Sequence, residues 1–303
     1  MSLDTRTEPL WPSRWPVIAK QECVDEVEAA VPEMRSEVIW LLPCDSCDRK
    51  TSCLVGKQKE VSELMFDREY LTRPRATTSS LFPFDRMRPC LREDLSLVPS
   101  YRKPLGSEDR YAVCSAWDLA WGEKAGGDWL VKMTGRVDRE TGKKRLLDIV
   151  RMQKLSFLEQ CQLIEEEWRK FRDDLVVVED DVSQVVWKQY MSATTAVPVI
   201  GHSSSTKKDL QQGVPSLLLD IERGVWEFPY QPGSYKHDLV RLFLGEAEAF
   251  GWKDDRLEGV GEHDDTVMAW WHLNWGLNKL AARPEQVVPV SSGMQTRRRG
   301  RVL

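Results

Sequence analysis

The sequence predicts an α/β fold in which helices flank a mixed β-sheet, and three observations support this. An apolar run, Tyr111 to Asp118, has the length of a buried strand rather than a helix. Two more strand-like segments follow it closely enough to form an antiparallel meander. The run Leu175 to Val178 is continuously apolar, which is typical of a parallel strand covered on both faces. Parallel and antiparallel strands in one domain indicate a mixed sheet.

The elements after the first strand follow in a regular order. A Gly-rich loop leads to a strand over Trp129 to Val137, and a turn at Asp138 to Gly142 returns the chain as a strand over Lys144 to Met152. Ser156 is placed to cap a helix that runs to Phe171.

Alternating units then continue to the end of the domain. We predict a strand at Val197 to Ile200 and four helices, at about Ser183 to Met191, Thr206 to Arg223, Lys236 to Phe250 and Asp264 to Leu280.

Composition and charge indicate a globular protein and argue against a membrane protein, a secreted protein and a generic polycation. The chain has 303 residues, 41% of them hydrophobic, which is enough for a substantial core. No apolar run approaches the roughly 20 residues of a membrane span, and the N-terminus lacks the hydrophobic segment of a signal peptide, so we expect a cytoplasmic protein without membrane contact. The net charge of -5 argues against a generic polycation that coats nucleic acid, although it allows a local DNA groove.

We divide the chain into three parts. Residues 1–105 are expected to form an irregular arm rich in Pro and Arg, with helical stretches around Val17 to Ala30 and Lys57 to Tyr70. Residues 106–281 form the globular domain. Residues 282–303, dominated by Pro, Ser, Gly and Arg, are expected to be a disordered basic tail.

The seven cysteines suggest reduced thiols or a metal site, because their number is odd and their spacing uneven. Cys44, Cys47 and Cys53 lie close enough in sequence to converge on a zinc ion, with Cys90 or Cys23 as a fourth ligand. Structural zinc sites usually contain two short sequence motifs that each supply two Cys or His ligands, and the second motif is missing here. Free cysteines in a polar loop are therefore the alternative.

Acidic residues occupy three informative places. Asp118 ends the first strand, Glu179 ends the later parallel strand, and Asp264 and Asp265 open the last helix. If that helix packs across the sheet, the carboxylates converge on one spot, and an all-oxygen site of this kind selects Mg²⁺ or Mn²⁺. The simpler interpretation of the Asp264 and Asp265 pair is a helix cap worth about 1 kcal/mol, and both interpretations can hold together.

This order of elements resembles the ribonuclease H-like nuclease fold, and residues 105–280 resemble the nuclease domain of phage terminase large subunits. The resemblance also extends to the arm, in Leu-Trp-Pro-Ser-Arg-Trp-Pro and Phe-Asp-Arg-Glu-Tyr. The segments in the domain that carry it are Asp118 with the following Gly-Gly-Asp128, Val-Val-Val-Glu179, Lys207-Lys208, Val225-Trp226-Glu227-Phe228, and Glu262-His263-Asp264-Asp265-Thr266-Val267-Met268-Ala269.

The resemblance implies roles for individual residues. Asp118, Glu179 and Asp264 would be the catalytic ligands of two Mg²⁺ or Mn²⁺ ions, with Asp265 and Asp128 as second-ion or supporting carboxylates. Two lysine pairs would bind DNA. Lys207 and Lys208 would hold a phosphate, and Lys143 and Lys144 would lie in a hairpin turn near the DNA.

The resemblance also implies an activity and partners. Such a protein cuts double-stranded concatemeric viral DNA during genome packaging in the cytoplasm of the infected host, together with an ATPase motor, a small terminase and a portal. No Gly-x4-Gly-Lys-Ser/Thr phosphate loop occurs in this sequence. We therefore expect a chain that cuts without translocating DNA, its motor being a separate polypeptide or truncated away.

Two alternatives remain open. Another ribonuclease H-like nuclease, such as a transposase or a junction resolvase, would carry a similar metal triad. A non-catalytic module that binds DNA, portal or motor could keep the fold, although all the expected acids are present here.

Overall fold

The computed structural model describes residues 60–62, 65, 80–119, 129–179, 185–253, 256–259 and 263–282. Two short 3₁₀ turns, Arg88–Cys90 and Ser204–Thr206, accompany the helices and strands. In chain order these elements are α1 (Phe84–Met87), β1 (Leu91–Arg92), β2 (Tyr111–Asp118), β3 (Leu130–Asp138), β4 (Lys144–Met152), α2 (Phe157–Phe171), β5 (Leu175–Glu179), α3 (Val185–Thr194), β6 (Val199–His202), α4 (Ser216–Glu222), β7 (Trp226–Pro229), α5 (His237–Ala249), β8 (Phe250–Lys253), β9 (Arg256–Gly259) and α6 (Asp265–Ala281).

A seven-stranded sheet in the order β1-β7-β4-β3-β2-β5-β6 forms the centre of the fold. Strands β2, β3 and β4 pair antiparallel as a meander, whereas β5 and β6 continue the sheet parallel to β2. On the other side β7 pairs parallel with β4. An antiparallel meander extended by parallel strands beside its first strand is the ribonuclease H-like arrangement, so the predicted fold class is confirmed.

Two helices cover the central strands on opposite faces. The first is α2, which packs on the face that carries Trp117 and Val178. Its first turn has the predicted cap, with Ser156 and Glu159 bonded to each other's backbone N–H, and it ends at Phe171 as predicted. The second is α6, which packs on the opposite face. We call these the α2 face and the α6 face of the sheet.

Helix α6 approaches the sheet closely because it carries a glycine where the two meet. A Cβ added at Gly276 would lie 2.5 Å from the Cys114 sulfur and 2.8 Å from a methyl of Val177. Most of the helix is buried, its tryptophans Trp270 and Trp271 included. The abundance of Trp in this segment is therefore explained by packing.

Two predictions about the elements were wrong in detail. The helix expected over residues 206–223 is a 3₁₀ turn followed by the shorter α4, because Gly213 closes a turn onto the Asp209 carbonyl and Pro215 precedes the helix. The strand expected at 197–200 lies two residues later, at Val199–His202.

The core also extends further toward the N-terminus than the arm boundary predicted near residue 105. Leu81, Phe82 and Leu97 are buried in the same cluster as α6, and the ring of Phe82 lies 5.1 Å from that of Trp270. The helix predicted at 17–30, most of that at 57–70 and the tail 283–303 fall outside the described residues. Within the ranges given above, no helix is long and apolar enough to span a membrane.

Candidate active site

Two of the predicted ligands meet because their strands are parallel neighbours. Trp117 of β2 is in register with Val178 of β5. The next residues along the two strands are Asp118 and Glu179, so both carboxylates lie at the same end of the sheet.

Strand alternation sets the face on which they lie. Ala116 and Val177, two residues before each acid, belong to the hydrophobic cluster around α6. Because side chains on a strand repeat every two residues, Asp118 and Glu179 share that face. Both are partly exposed.

The third predicted ligand lies at the start of α6. Asp264 is its N-cap residue, and its Oδ2 accepts a hydrogen bond from the Gly259 amide at 3.2 Å and lies 3.6 Å from Lys207 Nζ. A Cβ at Gly259 would be only 2.9 Å from Asp264 Cβ, so the close approach of β9 needs a glycine here.

One short segment contacts both Glu179 and Asp264. Ser204, at the start of the second 3₁₀ turn, donates a hydrogen bond from its hydroxyl to Glu179 Oε1. Lys207, immediately after that turn, provides the contact with Asp264. The structure thus brings Asp118, Glu179 and Asp264 to one edge and one face of the sheet.

Asp265, the first residue of α6, is 9% exposed. Its Oδ2 has no hydrogen-bond partner within the described structure, and His263 Nδ1 lies 3.6 Å away. Burial, and secondarily the charge of Glu246, raises the pKa of Asp265 to about 6. A buried carboxylate oxygen without a donor is one that a cation would satisfy.

The chemistry of these donors suits a hard divalent ion, since all are carboxylate oxygens and one is unpartnered. As the side chains stand, no three His, Cys, Asp or Glu residues among those described lie close enough together to hold one ion. The metal-binding roles of Asp118, Glu179, Asp264 and Asp265 therefore stay predictions.

The lysine pair predicted in the β3–β4 turn lies at the end of the sheet opposite to the predicted carboxylate site. Tyr111, at the start of β2, pairs with Asp138, whereas Asp118, at its end, pairs with Val131. At about 3.3 Å per residue the turn is about 23 Å from the carboxylates.

The environments of these two lysines differ, because Lys144 is buried and Lys143 is exposed, so the DNA-binding role of Lys143 stays a prediction. Lys144 is 3% exposed, and its ammonium donates to Asp220 at 2.7 Å and to Asn274 at 2.6 Å. Lys143 donates to the carbonyl of Gly224. Lys144 therefore forms an internal ion pair with Asp220 and does not present its ammonium to a phosphate.

The other predicted pair fits the site better. Lys208 is exposed and Lys207 partly exposed. The loop that carries them is fixed by a hydrogen bond from the Val214 amide to the Lys207 carbonyl and by one from Trp271 Nε1 to the Gln212 carbonyl, both 2.9 Å long. A loop held in this way presents the Lys207 ammonium near Asp264.

Several predicted ligands are not tested. Asp128 and the cysteines Cys44, Cys47 and Cys53 lie outside the described residues. Cys90 is a core residue whose thiol donates to the Ile221 carbonyl at 3.6 Å, and burial raises its pKa to about 11. The zinc-binding role of Cys90 stays a prediction, because the three cysteines that would share the ion lie outside the described residues.

Sequence reasoning missed a histidine pair beside Glu179. His202, the register partner of Glu179 on β6, has its Nδ1 2.8 Å from His272 Nδ1 and its ring stacked on Trp275. Burial lowers the pKa of His202 to about 4 and that of His272 to about 3, so both rings are neutral at physiological pH. No local pattern marks two single histidines about seventy residues apart, which meet only through β6 and α6.

The chain is similar to large terminase nuclease domains of known structure. That of the thermophilic phage G20c, solved with bound magnesium, is 18% identical with a TM-score of 0.45, over 66% of this chain and 98% of that one. The phage P22 nuclease domain is 13% identical with a TM-score of 0.42, over 62% and 94%.

A longer protein is also similar. The large terminase of a thermophilic bacteriophage, in complex with ATP-gamma-S, is 12% identical with a TM-score of 0.47, over 72% of this chain and 50% of that one. No protein-family model and no curated protein matches the sequence.

Proposed function

We propose that this chain is a metal-dependent endodeoxyribonuclease that cuts double-stranded concatemeric viral DNA during genome packaging, the nuclease part of a large terminase. One observation carries the proposal. Parallel pairing of β2 and β5 puts Asp118 and Glu179 side by side on the face where α6 begins with Asp264. Carboxylates from three separate elements at one sheet edge are expensive to assemble unless a cation uses them.

Each residue has a role in this proposal. Asp118, Glu179 and Asp264 would hold Mg²⁺ or Mn²⁺, with Asp265 and Asp128 as supporting carboxylates. When bound, two such ions activate water and stabilise the oxygen that leaves the phosphodiester. Lys207 and Lys208 would hold a backbone phosphate, since the Lys207 ammonium lies 3.6 Å from Asp264 and Lys208 is the next residue in the same loop.

The partners are part of the same proposal. The DNA would be delivered by an ATPase motor, with a small terminase and a portal, in the cytoplasm of the infected host cell. The arm would dock onto that motor through Trp11, Trp15 and Phe66, which lie outside the described residues. If it does, proteases should cut the arm of the lone chain quickly and more slowly once the motor protein is added.

Nicking of supercoiled plasmid by the full chain, with Mg²⁺, with Mn²⁺ and with a chelator, tests the activity. Asp118→Asn should lower the rate by about a hundredfold or more, as loss of one electrostatic contact to a transition state does. Asp109→Asn is the matched control, because this exposed acid lies at the other end of β2.

Three results would count against the proposal. Cutting by Asp118→Asn at the wild-type rate would remove Asp118 from the site. Cutting that survives the chelator would exclude the metal requirement. A wild-type chain that binds DNA but never cuts it would favour the non-catalytic packaging module.

A further inference from the structure

The N-cap of α6 is unusual in one respect. Asp is among the residues that best cap a helix, because its carboxylate accepts a hydrogen bond from a backbone N–H of the first turn. Asp264 occupies the N-cap position, yet its side chain makes no capping hydrogen bond. Its Oδ2 instead accepts from the Gly259 amide and faces Lys207. The simple interpretation of this acid as a helix cap does not hold.

A side chain from another helix accepts the capping hydrogen bond that the Asp264 side chain does not accept. Glu246 of α5 accepts, through its Oε2, hydrogen bonds from the Thr266 amide at 3.0 Å and from the Thr266 hydroxyl. Thr266 is the second residue of α6, and its N–H is one that an N-cap side chain ordinarily satisfies.

Glu246 is itself firmly held. Its Oε1 lies 3.1 Å from a guanidinium nitrogen of Arg151, and the two side chains are 11% and 10% exposed. The Arg151 guanidinium in turn lies 4.0 Å from the centre of the Trp129 ring. Strand β4, helix α5 and the start of α6 are thus joined at one point.

This arrangement has a cost that capping alone would not justify. Glu246 adds a carboxylate near Asp265, and like charges repel in a partly buried place. A cap from Asp264 itself would avoid that repulsion. The added acid is explained if the Asp264 carboxylate is needed for something else.

We propose that Glu246 is a positioning residue: it caps α6 in place of Asp264, so that the Asp264 carboxylate stays available to the divalent ion. This inference rests on the proposed function, since it presumes an ion at Asp264. Glu246 does not touch the ion or the DNA, and acts only through the first turn of α6.

Three substitutions separate capping from charge. Glu246→Ala removes the acceptor, and Glu246→Asp keeps the charge but is too short to reach the Thr266 amide. In both, Asp264 should turn to cap its own helix, and Mn²⁺ affinity should fall about tenfold, as when other supporting partners of a metal ligand are lost. Glu246→Gln keeps an acceptor oxygen of the same reach and should stay within about threefold of wild type.

Calorimetric titration of the full chain with Mn²⁺, without DNA, measures these affinities directly. Glu248→Ala is the matched control, because Glu248 is an exposed acid on the same helix. The metal dependence of nicking supplies a second measurement: Glu246→Ala should need about tenfold more Mn²⁺ but approach the wild-type rate at saturation.

The outcomes distinguish this inference from the function on which it rests. Wild-type protein without measurable Mn²⁺ binding would overturn both. Wild-type binding matched by Glu246→Ala and Glu246→Asp, with both variants folded by circular dichroism, would overturn the positioning role alone. Loss of affinity in Glu246→Gln equal to that in Glu246→Ala would show that charge matters and capping does not.

Discussion

The two faces of the sheet differ in how their buried acids are paired with positive charges. On the α2 face, Lys132 is fully buried and its ammonium contacts both Asp148, at 3.1 Å, and Glu167, at 2.5 Å. Asp148 also forms an ion pair with the ammonium of Lys236 at 2.7 Å, and Glu167 forms one with the ammonium of Lys170 at 2.5 Å. Each of these acids is neutralised by cations that the chain itself provides.

On the α6 face the balance is incomplete. Lys207 approaches Asp264 at 3.6 Å, and Arg151 pairs with Glu246. Asp265 keeps a buried oxygen without a hydrogen bond within the described structure. The acids around Lys132 are thus paired within the protein, whereas the acids at the start of α6 keep negative charge that a cation from outside would offset.

The largest expected effect concerns the paired face. Lys132→Met should lower the free energy of unfolding by about 3 kcal/mol, because it leaves Asp148 and Glu167 buried with less compensating charge. Chemical denaturation measures the change.

Lys170→Met is the control, since Lys170 is 49% exposed and should cost no more than about 1 kcal/mol. Mn²⁺ affinity should be unchanged in both variants. A Lys132→Met protein as stable as wild type would break the comparison, because the α2 face would then not depend on its internal lysine.

A comparable but pH-dependent effect should come from Asp173, which is an exception on the α2 face. It is 4% exposed, it accepts a hydrogen bond from the Ser115 hydroxyl at 2.8 Å, and its other oxygen has no hydrogen-bond partner within the described structure. Burial raises its pKa to about 7, so it is largely protonated below that pH. This acid is accommodated by a proton rather than by a cation.

The sign of the pH dependence follows from that pKa. The unfolded chain releases this proton at about pH 4, whereas the folded chain holds it until about pH 7. The stabilisation is therefore present below about pH 4 and is lost, by a few kcal/mol, as the pH rises to about 7.

Asp173→Asn removes this titration. Subtracting its unfolding free energy from that of the wild type, between about pH 4 and pH 8, isolates the contribution of Asp173. A difference that does not vary with pH would mean that Asp173 is already ionised in the fold.

The smallest expected effect compares the two lysine pairs in DNA binding. Replacing Lys207 and Lys208 together by Ala should weaken binding regardless of sequence and reduce the slope of log affinity against log salt by about 2, if each contacts one phosphate. Lys143→Ala, at the opposite end of the sheet, should leave that slope unchanged. A reversed result would place the DNA at the β3–β4 turn instead.

Local patterns predicted much of the fold. The strands at 111–118 and 144–152 and the helix end at Phe171 were predicted to the residue, because a continuous apolar run and a Ser156–Glu159 capping pair are signals within a few neighbouring positions. The same local reasoning failed over residues 206–223. There a helical composition is interrupted by Gly213 and Pro215, and the turn they form decides the structure.

By itself, then, the sequence determined that acids end two buried strands and open the last helix. Only the tertiary structure decided which side chains meet them. Glu246 with Thr266, Lys207 with Asp264, and Lys144 with Asp220 are each brought together from separate elements. Strand and helix periodicity is a property of near neighbours in the chain, whereas these pairs depend on sheet order and helix packing. No local sequence pattern therefore predicts them.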